Sequence, residues 1–152
     1  MIFLETTPPT LGDSLALQNT GSKPIYVKNI AVNTYKDAYG FKVYNTRIKP
    51  LASATYDAST YTVTASGRDT LELYIDSSLI NSSVYTFTPG AADTSHNIIV
   101  KSVDPSLGVL DTYNLEVLVP AESGSEDPGG DETYNYTLTP EFNSELNCYE
   151  IP

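Results

Sequence analysis

The sequence predicts an all-β fold, a single antiparallel β-sandwich over residues 1–120 with a C-terminal extended arm. Three observations carry this reading. Apolar and polar residues alternate in short runs, as where Leu71, Leu73 and Ile75 share one face and Glu72 and Tyr74 the other, which is the period of a half-buried strand. The composition, with 12 Tyr, 18 Thr and 15 Ser in 152 residues, suits a pleated, half-exposed surface. Ten Pro and nine Gly are spread along the chain as turn formers, and no stretch keeps a long 3.6-residue apolar period.

Taken in order, residues 2–4 read as a first edge strand and TTPPT at 6–10 as an extended connector. Residues 14–19 alternate, with Leu15 and Leu17 on one face. A turn follows at 19–22, and Pro24, which lacks a donor, opens a strand over 25–32. Ile25 and Val27 point inward there. Ile30 and Val32 fall an odd number of residues later, so a bulge is expected near Asn29. Residues 41–44 form a short strand after Tyr39 and Gly40, and 46–60 are ambiguous. Strands at 61–65 and 70–75 flank a turn at 66–69; 76–84 admits one helical turn, and 85–88 is a strand ended by Pro89 and Gly90. Residues 97–103 and 112–119 are the last two strands, separated by DPSLG. About eight short strands with frequent turns argue a sandwich rather than βαβ units. The predicted core is Leu15, Leu17, Ile25, Val27, Leu71, Leu73, Ile98, Val100, Leu115 and Val117.

Pro120 ends the domain. Residues 121–132, AESGSEDPGGDE, read as an acidic flexible linker. Patterning then returns in residues 133–152, the C-terminal arm or extra strand. Tyr134, Tyr136 and Leu138 alternate with polar residues, and Phe142, Leu146 and Tyr149 follow. Aromatic anchors suit the centres of interfaces, so these six are the candidate partner-binding residues. Twenty extended residues reach at most about 65 Å, against a domain radius of gyration of about 14 Å. The arm can therefore clamp a neighbour, or fold back as an extra strand on its own sandwich.

Charge and cysteine content exclude several classes. The net charge is −11, unevenly placed: residues 1–68 sum to +3 and residues 69–152 to −14. Such a chain repels nucleic acid and anionic membrane, and its polarity suits head-to-tail docking. Cys148 is the single cysteine, so neither an internal disulfide nor a cysteine-ligated metal is expected. Residues 1–4 lack the pattern of a signal peptide, which predicts synthesis and assembly in the cytoplasm.

Three segments resemble one family. LQNTGSKPIYV at residues 17–27 is similar to the opening of the Hydin-like, major-sperm-protein-like branch of Ig domains. Thr88, Pro89 and Gly90 resemble its turn before the penultimate strand, and IIVKSVDPSLGVLDTYNLEVLV at 98–119 resembles its close. The resemblance covers about residues 14–119 and implies an Ig-like sandwich that serves as a structural docking module rather than an enzyme. Pro105 and Gly108 would make the last turn, and Tyr113, Leu115 and Val117 would belong to the final strand. Opening and close stand farther apart here than in the family pattern.

One catalytic motif needs weighing. Residues 12–15 spell GDSL and 93–96 spell DTSH, the nucleophile and acid–base blocks of a serine esterase family; His96 is the only histidine. A Ser-His-Asp triad is chemically sensible. Those esterases, however, follow the serine with a helix on a parallel sheet, whereas Ser14 leads an alternating strand here, and the oxyanion blocks are not recognisable. Paired carboxylates at Glu126, Asp127, Asp131 and Glu132 lack the spacing of a calcium loop. Tyr26, Tyr35, Tyr39, Tyr44, Tyr56 and Tyr61 could line a sugar or protein surface, or simply cover a sheet. The expectation is a non-enzymatic virion structural protein without cofactor or metal. It would be a bacteriophage capsid decoration or accessory subunit whose partners are other copies of itself and other virion proteins. The alternative is a cell-surface or secreted binding module, with a glycan as ligand.

Overall fold

A computed structural model describes residues 1–13, 15–68 and 70–122, and the backbone of 141–143 and 148–150. The chain is mostly strand, 45%, with 15% helix, and its two larger sheets are antiparallel, as the sequence predicts. Residues Met1–Glu122 form one compact unit and Ser123–Pro152 a second.

The first unit holds two apolar cores. The N-terminal one is built on a small parallel sheet of β1 (Ile2–Phe3), β2 (Ile25–Val27) and β3 (Ile48–Pro50), in that order. Helix α1 (Val32–Asp37) and 3-10 turns at Gln18–Thr20, Asn29–Ala31 and Lys42–Arg47 complete it. Here the structure departs from the expected strands. Ile25 and Val27 are buried as predicted, but the phase break at Asn29 is a change of period, not a bulge. Ala31, Tyr35 and Ala38 follow at helical spacing and face the core, while Ile30 is 81% exposed. Phe41, Tyr44 and Ile48 continue that spacing, so 41–44 is helical rather than extended. Leu17 is buried, but Leu15 is 58% exposed and belongs to a turn, not to the core. Phe3, Tyr35 and Phe41 meet as an aromatic trio with ring centroids 5.0–5.6 Å apart, a geometry that adds to simple burial. Burial and the nearby Glu5 carboxylate raise the pKa of the Tyr35 phenol; its hydroxyl donates to the Glu5 carbonyl at 3.1 Å.

The sandwich occupies residues 52–119. Its strands are β4 (Ala52–Asp57), β5 (Thr62–Gly67), β6 (Leu71–Ile75), β7 (Ser78–Ile80), β8 (Val84–Thr86), β9 (Thr94–Asp104) and β10 (Gly108–Val119). One sheet runs β4-β5-β8 and the other β10-β9-β6-β7, with every neighbour antiparallel. Consecutive strands thus cross between sheets after β5, β7 and β8, the connectivity of an Ig-like sandwich. Inward residues of both sheets make one core that includes Ala54, Val63, Leu73, Ile98, Val100 and Val117. Leu73 lies between Ile80 and Val100 and is 1% exposed. Leu71 and Leu115, predicted core residues, are half-buried against its margin. Residues 76–84 hold a two-residue hairpin loop and β7 rather than a helical turn.

The two cores are joined at Leu51 and Asn29. Leu51 is fully buried; its N–H donates to the Val27 carbonyl at 2.7 Å, and its carbonyl accepts from Arg68 at 3.0 Å. The Asn29 amide donates to the Asp111 carboxylate at 2.6 Å, and its side chain to the Ala52 carbonyl at 3.2 Å. Asp111 is aimed there by an irregularity of β10 between Val109 and Asp111. Residues 17–27 therefore belong to the N-terminal core and not to the sandwich. In the second unit, β11 (Glu141–Asn143) pairs antiparallel with β12 (Cys148–Glu150), setting Phe142 opposite Tyr149 in register.

Candidate docking surface

The surface best suited to a partner is built where α1 ends. Ala38 leaves the helix in an extended conformation, its N–H bonded to the Tyr35 carbonyl at 3.3 Å. The amides of Phe41 and Lys42 then both converge on the Ala38 carbonyl, at 3.1 and 3.0 Å. That tight reversal needs Gly40 at φ +81°, where a Cβ would lie 2.9 Å from Leu11 Cβ. It also sorts the aromatics: Phe41 goes fully into the core and Tyr39, two residues earlier, projects outward with 80% exposure.

Tyr39 is a ridge between two shallow grooves. One, of about 430 Å³, is lined by Pro8, Pro9, Leu11, Ala38 and Tyr39 among others. The second, of about 540 Å³, is lined by Asp37, Tyr39, Gly40, Lys42 and Val43, with Val43 63% exposed. A polar margin adjoins them, where Lys36, Asp37, Lys42, Asn45 and Thr46 surround a further depression. An apolar centre with a polar rim is the anatomy of a protein interface. The sequence signal was present in TTPPT and in Tyr39-Gly40, but each reads locally as a connector or a turn; only the fold brings them together.

The sequence-predicted residues fare differently. Tyr134, Tyr136, Leu138 and Leu146 lie outside the described residues, and Phe142 and Tyr149 are described only through their backbone pairing. Of the tyrosines expected outward, Tyr35 and Tyr44 are core residues, Tyr26, Tyr56 and Tyr61 are half-buried, and Tyr39 is exposed. Ser14 of the GDSL stretch lies outside the described residues; Asp13 beside it accepts the Leu15 amide at 2.8 Å. His96 takes its carboxylate from Asp76 and not from Asp93: its Nδ1 lies 2.6 Å from Asp76 Oδ2, and its ring stacks on Phe87 at 4.4 Å. Asp93 accepts from the Ala121 amide at 2.8 Å. The His96 contact and the Asn97 amide hold the Asp76 carboxyl below the usual range.

Among the described residues no cluster of three or more potential metal ligands occurs, and no helix is long and apolar enough to cross a membrane. No family model, curated protein or solved structure matches the chain.

Proposed function

We propose that this is a non-enzymatic virion structural protein, a bacteriophage capsid decoration or accessory subunit that docks through its body and its C-terminal segment. The observation that carries the reading is Tyr39, held outward on a tight turn and flanked by Pro9 and Val43. A rigid aromatic presented at little conformational cost is the kind of residue that anchors interfaces. The polarity of charge, positive over residues 1–68 and strongly negative beyond, supports ordered docking rather than random association. The resemblance of residues 98–119 to the close of the Hydin-like family implies a docking module as well. Carrying the chain in purified particles at a fixed copy number is the expected result, and Tyr39→Ser should lower that number. Absence from particles, with glycan binding on an array, would sink the reading in favour of a cell-surface module.

A further inference from the structure

We infer that the Tyr39 face receives the C-terminal segment, residues 133–152, of a second copy of this chain, so that copies join head to tail. This rests on the docking reading above and names both receptor and occupant. The receptor is apolar at its centre, with Tyr39 and Val43 exposed beside Pro8 and Pro9, and its margin carries Lys36 and Lys42 against the single carboxylate of Asp37, a net positive charge. Residues 1–51 carry six basic and three acidic side chains, whereas residues 121–152 carry eight acidic and no basic ones. Opposite potentials steer two such surfaces together and disfavour like-on-like pairing of either.

The occupant has the matching pattern. Tyr134, Tyr136 and Leu138 recur at every second position, a spacing that presents one apolar edge if the segment is extended. It belongs to a compact unit separate from Met1–Glu122, and residues 123–132, beyond the anchored Ala121 and Glu122 amides, span up to about 33 Å when extended, enough to offer it to a neighbour. Receptor and occupant are different surfaces, so a pair of copies still has one free receptor and one free tail. Such a contact propagates into rings or filaments rather than stopping at a symmetric dimer.

Complementation between two variants tests this. In one, Tyr39→Ser and Val43→Ser remove the receptor; in the other, Tyr134→Ser and Tyr136→Ser remove the occupant. Sedimentation velocity over a concentration series should show wild-type species growing beyond dimers. Each variant alone should stay monomeric, its self-association at least about tenfold weaker. An equimolar mixture should form a dimer and stop there, since one intact receptor meets one intact tail. Circular dichroism melts check that both variants fold. A wild-type chain that stays monomeric throughout would overturn the inference, as would a receptor variant that assembles like wild type or a mixture that forms no dimer. Failed complementation by a chain still present in particles would reject head-to-tail joining alone; complementation by a chain absent from particles would reject only the virion reading.

Discussion

A methyl group at Gly67 would sit 2.2 Å from the Leu51 carbonyl oxygen, with φ at +151° besides. That carbonyl is part of the seam between the two cores, so neither side can yield cheaply. Gly67→Ala should cost at least about 2 kcal/mol, read as a fall in melting temperature. Gly90→Ala, where an added Cβ meets nothing within 4 Å, should stay within about 0.5 kcal/mol of wild type. Asp76 offers a second test. Its carboxyl is held below the free value of 3.8, first by the His96 hydrogen bond and then by the Asn97 amide. The stabilisation is therefore present above about pH 4 and lost as pH falls through the lowered native pKa. With half of the side chain exposed, solvent screening keeps it to a few tenths of a kcal/mol. Asp76→Asn keeps a residue that tolerates the positive φ of this loop. The gap in melting temperature between wild type and Asp76→Asn should be full above about pH 4 and narrow as pH falls through the lowered native pKa; a gap constant with pH would separate the carboxylate from the effect.

Asp76 and Ser77 are also the two central residues of the β6–β7 hairpin, at φ +48° and +70°. This is the pattern of a type I′ loop, whose second position favours glycine. Ser77→Gly should stabilise the fold by about 0.5–1 kcal/mol, the relief of a left-handed serine less the entropy of a freer unfolded chain. In β6 itself, Leu73→Asp should prevent folding, because the carboxylate would be buried between sheets without a partner; a soluble variant that melts cooperatively would contradict the register. The sandwich strands were legible because alternation of Leu71, Leu73 and Ile75, or of Ile98 and Val100, has only one physical reading at that length. The N-terminal third was not. Its helical turns are short and rich in Val, Tyr and Asn, residues without helical preference, and their buried positions from Ala31 to Ile48 are interrupted by the reversal at Gly40. The Tyr39 face was hidden for a further reason: Pro8 and Tyr39 are far apart in sequence and meet only because Gly40 lets the chain close on Leu11.

At the scale of the whole molecule, the unit Met1–Glu122 contains both cores and the seam that joins them. A chain ended at Glu122 should melt cooperatively, at a temperature close to that of the full chain, and fail to assemble. Loss of the transition would mean that the C-terminal segment completes the fold. The seam also fixes an order of events during synthesis. The N-terminal core draws its buried residues from positions 17–48, so a ribosome releases all of them before any strand of the sandwich has emerged. Domains form from the N-terminus as they leave the exit tunnel. Asn29, however, spends its backbone amide on Asp111, in the last strand of the sandwich to be translated. The nascent N-terminal core therefore waits, with that amide in water, for nearly the whole of the sandwich to be made, and the arrival of Asp111 fastens the early part of the chain to the late one.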